Sequence, residues 1–339
     1  MMMKRTSLEG YDPKKGYEML MDFCQGLKPV RTAVCHPCSE TSLRGAVEAA
    51  DVGLIIPILI GPKAKIQQVA QACGLDLSPY EIVDASHSHE SAKKTVEMVR
   101  AGKANAIMKG SLHTDELMGE VVKKETGLRT ERRISHVFLM SVDGYHRPFV
   151  VTDSAVNIYP DLMTKRDMCQ NAIDFAHIMR HYYQPKTDHR KNPVKVAILS
   201  AVETVNPSIQ STLDAAALCK MADRGQITGA LLDGPLAYDN AMNLEAAKTK
   251  GILSPVAGDA SILLVPDLEA GNILAKQLIY LSGAYAVGMI VGARVPIILT
   301  SRADGVESRI GSCAVAAMMA DYYRHHQDTS KIIYATDLA

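Results

Sequence analysis

The 339-residue sequence carries no excess of charge of either sign, because 37 Lys and Arg residues balance 37 Asp and Glu residues. A chain without a cationic field does not attract a polyanion, which argues against nucleic acid as a partner. Long apolar runs are also lacking. The longest, AYAVGMIVGA before Arg294, is about half of the roughly 20 residues that a membrane-spanning helix needs. We therefore expect no membrane partner.

The first residues, MMMKRTSLEGYDPKK, lack the apolar core of a secretory signal, which predicts a cytoplasmic protein. The seven cysteines are scattered, which is typical of reduced thiols rather than of a disulfide framework. CHPC at 35–38 has metal-ligand spacing, but no second C-x-x-C accompanies it, so we interpret it as a strand end that turns through Pro37 into a helix. HSHE at 87–90 is interpreted as a helix start, with Ser88 as N-cap and Glu90 in the first turn. We predict no metal site.

Three glycine-containing signatures are absent from the chain: G-x-G-x-x-G, G-x-x-x-x-G-K-[ST] and G-x-S-x-G. Their absence argues against ordinary Rossmann dinucleotide binding, P-loop chemistry and the nucleophile elbow of an α/β-hydrolase. Ser301 is therefore not a nucleophile of the hydrolase type.

Short apolar runs alternate with amphipathic segments of helical length, a pattern that predicts a parallel α/β sheet. The 47% hydrophobic content provides enough core for two domains. Between the halves, 181–193 is polar, basic and proline-marked, and we interpret it as a loop or linker. The predicted strands are RTAVCH, LIIPILIG, YEIVDA, NAIMKG, ISHVFLMSV, PFVVTDSAV, VKVAILSA, ITGALLDG, SILLVPD, AVGMIVG and VPIILTS.

Polar side chains follow several of these predicted strands. Ligands of open parallel sheets bind at the carboxyl ends of the strands, so such residues are binding-site candidates. One Asp or Gly after a strand often makes only a turn or a helix cap, but five such ends together indicate a site. Ser135 could lie in a cleft or be a buried polar residue of the core, and we favour the cleft position. The candidates are Lys109, Gly110, Thr114, Ser135, Asp153, Asn157, Asp233, Asp267, Asn272, Ser301 and Arg302.

The pair Ser301 and Arg302 stands where the apolar run VPIILT ends. A guanidinium can hold phosphate oxygens bidentately, and a neighbouring hydroxyl can donate to phosphate or to a developing oxyanion. The following segment, GVESRIGSCAVAAMMADYY, is expected to be a helix whose small residues allow close packing. These observations predict an anion-handling site rather than a serine hydrolase.

Several long blocks of the sequence form motifs that can be recognised: MKGSLHTDEL, VTDSAVNIYPDL, ITGALLDGPLAYDNAM, VAGDASILLVPDLEAGNIL and VGARVPIILTSRAD. They closely resemble the phosphate acetyltransferase and phosphate butyryltransferase family, the butyryl branch in particular, and the likeness extends from about residue 30 onward. The resemblance implies transfer of an acyl group between coenzyme A and inorganic phosphate, with acyl-CoA as substrate and no tightly bound cofactor. It also implies a homodimer or larger homo-oligomer.

The fold implied by the resemblance is a two-domain α/β sandwich with parallel or mixed sheets, similar to isocitrate and isopropylmalate dehydrogenases, with the active-site cleft between the domains. Because the C-terminal helix of that fold returns to the first domain, we predict one domain from 1–150 plus 300–339 and a second from 151–299.

The resemblance also assigns catalytic residues. The family's Ser-Arg pair falls on Ser301 and Arg302, whereas the Asp that acetyl members have seven residues after that Ser falls on Ser308. Ser308 cannot act as a carboxylate base, so Asp304 and Glu307 are candidate substitutes. Phosphate is already an anionic nucleophile and thiolate a good leaving group, so we expect a ternary-complex mechanism without an acyl-enzyme and without need of a strong base.

Two other interpretations remain open. A catalytically inactive, acyl-CoA-sensing regulatory domain could show the substitution at Ser308, although butyryl members lack the same Asp and the TSRAD motif is intact. Acetyl members also have an arginine, a contact for phosphate or coenzyme A, at the position that aligns with Gly119. Lys109 is the candidate residue that would make this contact instead. A metal-dependent decarboxylating dehydrogenase of the similar fold would need clustered Asp ligands, which cannot be placed.

Overall fold

The computed structural model describes residues 12–184, 191–299 and 305–326. These residues form two compact units, with 133–286 in unit 1 and 17–132 together with 287–326 in unit 2. Within the described ranges, no helix is long and apolar enough to cross a membrane.

The described residues contain eleven strands, and each predicted strand segment overlaps one of them. The predicted α/β class with mixed sheets is confirmed. The strands are β1 (Val30–Cys35), β2 (Ile55–Gly61), β3 (Glu81–Asp84), β4 (Ala106–Lys109), β5 (Ser135–Ser141), β6 (Phe149–Thr152), β7 (Val194–Leu199), β8 (Ala230–Leu236), β9 (Ile262–Leu264), β10 (Tyr285–Val291) and β11 (Ile297–Ile298).

Helices occupy most of the intervening segments, beginning with a short 3-10 turn at Pro13–Lys15. They are α1 (Gly16–Phe23), α2 (Glu40–Asp51), α3 (Lys63–Cys73), α4 (Ser88–Arg100), α5 (Thr114–Val121), α6 (Leu162–Tyr183), α7 (Gln210–Asp223), α8 (Tyr238–Met242), α9 (Leu244–Thr249), α10 (Leu268–Tyr280) and α11 (Val306–His325).

The sheet of unit 2 has the order β3-β2-β1-β4-β11-β10. Neighbouring strands from β3 to β11 are parallel, and β10 pairs antiparallel with β11. β1 and β2 are buried at all but one position each, as expected for parallel strands covered on both faces. β1 lies between β2 and β4, so the strand order reverses there and creates a topological switch point at the carboxyl ends of β1 and β4.

Helix α11 belongs to unit 2, where it packs on α2, β1 and β11. Gly311, Ala314, Ala316 and Ala317 are all buried, because small side chains let the helix approach its neighbours closely. The predicted helix and its predicted role in close packing are both present. The C-terminal part of the chain thus returns to the N-terminal part.

The sheet of unit 1 has the order β5-β6-β9-β7-β8. β5 and β6 are antiparallel, whereas β6, β9, β7 and β8 are parallel neighbours. The predicted domain boundary at 150 falls inside β6, which pairs with β5 through Phe138 and Val151. Because this pairing holds 135–152 together, the unit begins near 133, and it ends near 286 rather than at the predicted 299.

Two local predictions need correction. The predicted loop 181–193 begins inside α6, which continues to Tyr183, and its described residues belong to unit 1. Helix α4 is capped by His87, whose Nδ1 accepts from the amide of Glu90 at 3.3 Å, whereas Ser88 is the first helical residue. Ser88 instead donates to a carboxylate oxygen of Glu116 at 2.5 Å.

Candidate active site

The loops that follow β1 and β4 are hydrogen-bonded to each other at the switch point of unit 2. The amide of Gly110 donates to the carbonyl of Cys35 at 2.9 Å. The amide and the hydroxyl of Ser111 both donate to the carbonyl of His36 at 2.9 Å, and the Ser111 hydroxyl accepts from the amide of Cys38 at 3.0 Å. The two loops therefore form one continuous edge where parallel sheets bind ligands.

Three predicted substrate-binding residues lie on this edge. Gly110 is required by space, because a Cβ there would lie 2.4 Å from the carbonyl oxygen of Cys35 and 2.6 Å from that of His36. Lys109 ends β4 half-buried, with its Nζ 3.5 Å from the carbonyl of Gly110. Thr114 is the first residue of α5, where backbone N–H groups lack helical partners. All three residues lie in the segment 109–114, from the end of β4 to the start of α5.

His36 is a candidate that the sequence analysis missed, because CHPC was considered only as a metal motif or a turn. Its backbone has a φ of 55°, which is uncommon for a residue other than glycine. Its Nδ1 lies 3.1 Å from the hydroxyl of Ser91, and that hydroxyl donates to the carbonyl of His87 at 2.9 Å. Nδ1 donates to Ser91 in the tautomer that keeps the bond from this hydroxyl to His87. The position after the first strand of a switch point was the signal that could have found it.

The charge of His36 follows from its surroundings. Burial and then the nearby Lys65 lower the pKa of the imidazole, while Glu116 opposes them. A neutral imidazole with its proton on Nδ1 keeps a lone pair on Nε2, which is the form that accepts a proton.

The predicted catalytic pair lies just beyond the end of β11. Ile298 of β11 is aligned with Met108 of β4 in parallel register, so β11 ends beside the edge that carries Lys109. Ser301, Arg302 and Asp304 lie outside the described residues, and their roles stay predictions.

The other catalytic candidates near this point are at the start of α11. Ser308 is half-buried in its first turn, and its carbonyl accepts from the hydroxyl of Ser312 at 2.9 Å. Glu307, named as a substitute base, is exposed in the same turn.

Asp153 of unit 1 organises the loop after β6. Its Oδ1 accepts from the amides of Ala155 at 2.8 Å and Val156 at 2.9 Å. Its Oδ2 accepts from the amides of His136 and Asn157 and, at 2.7 Å, from the side chain of Asn157. With 1% of its surface exposed, the carboxylate is used by the protein itself, which explains its position without a substrate.

Ser135 also has a structural environment. It is fully buried, and its hydroxyl accepts from Nδ2 of Asn171 at 3.0 Å. Asn157 donates to the carbonyl of Ile134 at 3.0 Å, which ties the loop after β6 to the start of β5. Ser135 thus has the core position rather than the favoured cleft position.

The remaining candidates of unit 1 perform capping and turn functions. Asp267 is the N-cap of α10 and accepts from the amide of Ala270 at 2.9 Å. Asn272 donates to the carbonyl of Ser154 at 3.1 Å and so joins α10 to the loop that contains Asp153. Asp233, on the outer strand β8, accepts from the amide of Gly234 at 2.9 Å. A contact of any of these residues with substrate stays a prediction.

No group of three or more His, Cys, Asp or Glu side chains suited to a metal ion occurs in the ranges 12–184, 191–299 and 305–326. The chemistry that the described edge offers is therefore that of a lysine ammonium, backbone amides, hydroxyls and a neutral imidazole. Such groups bind anions and move protons.

Comparison with known proteins identifies the family. The family model described as "Phosphate acetyl/butaryl transferase" matches residues 89–317. The chain belongs to this family. Two curated members illustrate its range. The phosphate acetyltransferase of Rickettsia prowazekii (strain Madrid E) is 58% identical over 294 residues, which cover 87% of this chain and 81% of that protein. The phosphate butyryltransferase of Clostridium beijerinckii (strain ATCC 51743 / NCIMB 8052) is 40% identical over 306 residues, which cover 90% and 98%.

Solved structures of family members share the fold. A branched-chain phosphotransacylase from Enterococcus faecalis V583 aligns with a TM-score of 0.71 at 28% identity, over 86% of this chain and 99% of that chain. A phosphotransacetylase from Streptococcus pyogenes aligns with a TM-score of 0.74 at 22% identity, over 91% and 99%, and supports the fold alone. The family resemblance inferred from the quoted motifs is confirmed. The expected closeness to the butyryl branch is not, because identity is 58% to the phosphate acetyltransferase and 40% to the phosphate butyryltransferase.

Proposed function

We propose that the chain transfers a short acyl group, in the first place acetyl, between coenzyme A and inorganic phosphate. The observation that carries this proposal is the family match over residues 89–317. Acetyl is favoured because the identity to a phosphate acetyltransferase is 58%, against 40% to a phosphate butyryltransferase. Pockets for acetyl and butyryl differ by two methylenes, each about 0.8 kcal/mol, so few lining residues decide the preference.

The proposed reaction is a direct attack of phosphate on the thioester carbonyl. Arg302 holds two phosphate oxygens, and Ser301 donates to the oxyanion that forms on the carbonyl oxygen. The thiolate of coenzyme A then leaves and acyl phosphate is formed. The parallel register of β11 with β4 supports this assignment, because Ile298 at the end of β11 is aligned with Met108, the residue before Lys109.

In this direction the nucleophile is already an anion, so the absence of a carboxylate at Ser308 is no obstacle. In the reverse direction the thiol of coenzyme A must lose its proton, and its reference pKa near 8.5 leaves only a few per cent of thiolate at pH 7. We propose the neutral imidazole of His36 as the acceptor, because it stands on the switch-point edge. Replacing His36 by Gln should slow the reverse reaction most at low pH, and an unchanged pH profile would exclude this role.

The test of the activity is the release of free coenzyme A from acetyl-, propionyl- and butyryl-CoA, followed with a thiol reagent at increasing phosphate. Arg302→Ala should raise the KM for phosphate strongly, whereas Arg224→Ala, an exposed arginine at the end of α7, should leave it unchanged. An Arg302→Ala enzyme with unaltered phosphate dependence would refute the assigned role. Failure to release coenzyme A from any of the three, combined with tight acyl-CoA binding, would favour the regulatory alternative.

Further parts of the proposal concern intermediates and assembly. Rapid quenching during turnover followed by mass spectrometry should find no acyl group on Ser301 or on any cysteine.

We also propose that no cofactor is tightly bound and that the protein forms a homodimer or larger homo-oligomer, which light scattering would measure. A cytoplasmic location is supported by the free state of all seven cysteines, as expected in a reducing compartment.

A further inference from the structure

Unit 1 has a second polar centre at the edge of its sheet opposite to Asp153. Ser261 stands immediately before β9 and joins the starts of two neighbouring strands. Its carbonyl accepts from the amide of Val150 in β6 at 2.9 Å, and its amide donates to the carbonyl of Lys195 in β7 at 2.8 Å. Asp153 follows the other end of β6. The centre around Ser261 is therefore separate from the carboxyl edge, where the candidate substrate-binding residues of unit 1 lie.

A buried carboxylate anchors this centre. Oδ1 of Asp259 lies 2.6 Å from Nε2 of His146 and 2.5 Å from Nη2 of Arg147, and Oδ2 lies 2.6 Å from Nζ of Lys195. Burial on its own would raise the pKa of Asp259, but the bond to His146 and the charges of Arg147 and Lys195 outweigh it and hold the pKa below its usual value. Asp259 is thus an anion that already has several donors.

Arg180 lies beside this group and is under the charge of Asp259, but no carboxylate of the described residues is hydrogen-bonded to its guanidinium. Its guanidinium donates to the carbonyls of Asn192 at 2.7 Å and Pro193 at 3.3 Å, and to the hydroxyl of Ser261 at 3.2 Å. With 8% of its surface exposed, it is a buried cation whose hydrogen-bond partners are all neutral. Burial, followed by repulsion from Arg147, lowers the pKa of Arg180 to about 10. A buried charge in this position is stabilised by any anion that reaches it.

Two guanidinium groups converge on one hydroxyl, because Arg147 also donates to Ser261, at 3.3 Å. This arrangement of planar donors around a hydroxyl matches the oxygens of a carboxylate or a phosphate. A neutral amide group or a water molecule could hydrogen-bond to the Ser261 hydroxyl, but it would not neutralise the positive charge of the guanidinium groups.

A cavity opens onto these groups. Its volume is about 40 Å³, several times the roughly 10–15 Å³ that one water molecule requires. One end is polar and the rest is formed by apolar side chains. The lining residues are Leu139, Arg147, Pro148, Val150, Ala176, Met179, Arg180, Tyr183, Gln184 and Ser261.

We propose that this cavity binds a small monocarboxylate with a short alkyl chain. The carboxylate lies between Arg147, Arg180 and the Ser261 hydroxyl, and the alkyl group packs against the apolar wall that includes Val150 and Met179. The positive end selects an anion, and the apolar wall selects a carboxylate with a hydrocarbon chain over inorganic phosphate. This site does not depend on the proposed transferase activity.

The test is calorimetric titration of the full-length protein with sodium butyrate at constant ionic strength, with saturating coenzyme A and phosphate present to occupy the reaction site. We expect saturable binding with a roughly millimolar Kd, as a ligand of this size permits. Arg180→Gln should weaken butyrate binding at least about tenfold through loss of a charge-assisted contact, while Arg224→Gln, an exposed control, should not. Formate and phosphate should bind more weakly than butyrate.

A second variant tests the proposal if the Arg180→Gln protein does not fold. Ala176→Leu in α6 places a larger side chain into the apolar part of the cavity, and it should weaken butyrate binding while coenzyme A release remains normal. Absence of saturable binding to the parent, or an equal Kd in the parent and in a folded cavity variant, would overturn the proposal. Loss of butyrate binding in Arg302→Ala alone would place the ligand in the reaction site and would overturn it too.

Discussion

Replacing Gly110 by alanine should destabilise the protein and reduce its activity together. The new Cβ would lie 2.4 Å from the carbonyl oxygen of Cys35, 2.6 Å from that of His36 and 2.8 Å from the carbonyl carbon of His36. Non-bonded atoms prefer separations of about 3.5 Å, so the loops after β1 and β4 would have to separate by roughly 1 Å. The obstacles are backbone atoms that no rotamer change can remove, so we expect a loss of about 3 kcal/mol, the upper end for overpacking.

Gly119 in α5 offers a matched control for the same substitution. Apart from its chain neighbours and the backbone of its own helix, no heavy atom lies within 4 Å of a Cβ added there. Because alanine is the better helix former, Gly119→Ala should stabilise the protein by about 0.5–1 kcal/mol. Urea unfolding of the parent and both variants should therefore show midpoints displaced in opposite directions with similar m values.

Activity gives a second measurement of the same pair. Displacing the switch-point edge by an ångström should lower kcat/KM of Gly110→Ala on the order of 100-fold, whereas Gly119→Ala should retain the parental value. A Gly110→Ala protein as stable and as active as the parent would refute the close contact of the two loops. A parallel loss in both variants would show that the effect is not specific to position 110.

Three further predictions concern buried groups. Asp153→Ala should lower the free energy of unfolding by about 3–5 kcal/mol, since it leaves buried N–H groups without acceptors, and Asp153→Asn should lose less, as urea unfolding would measure. Burial lowers the pKa of His136 although Asp153 opposes it. As the pH falls, the unfolded chain therefore takes up a proton at this histidine before the folded chain does, and the free energy of unfolding should decrease below about pH 6.5. The free energy of unfolding of His136→Phe should depend less on pH in this range, and equal slopes for parent and variant would contradict this prediction. Burial raises the pKa of Cys35 and Cys313 to about 12, so these thiols are unreactive at neutral pH. Maleimide should therefore label the partly exposed Cys73 first. Mass spectrometry that finds Cys35 modified in the native protein would contradict the structure.

The strands could be predicted from the sequence because each is a short apolar run bounded by polar or turn residues. Strands of parallel sheets that are covered on both faces are buried along nearly their whole length, so their sequences are almost continuously apolar, as the run IIPILIG of β2 illustrates. Strand direction is less visible, since the antiparallel pair β5 and β6 has the same apolar character as the parallel pairs. The pairing of β6 with β5, which places the predicted boundary at 150 inside unit 1, is likewise not visible in the composition of the two strands.

The site was harder to predict because one residue type serves two purposes. Asp153 and Asp267 follow strands as substrate ligands would, and Asp233 lies within β8, yet their oxygens accept nearby amides. Sequence position shows that such a carboxylate stands at a strand end but not which donors surround it. His36 was missed for the opposite reason, since its interest depends on contacts with Ser91 and Ser111, which are distant in sequence.

The return of α11 to unit 2 has a consequence for the order in which the chain can fold during synthesis. Nearly all of unit 1 is one uninterrupted stretch, 133–286, and can assemble as soon as it leaves the ribosome. Unit 2 must wait, because its sheet is completed only when Ile297 pairs with Ile107 and α11 covers α2. Residues 17–132 are therefore translated before the 133–286 stretch of unit 1 but are fully buried after it, and nascent unit 2 exposes the apolar face of α2 until α11 arrives.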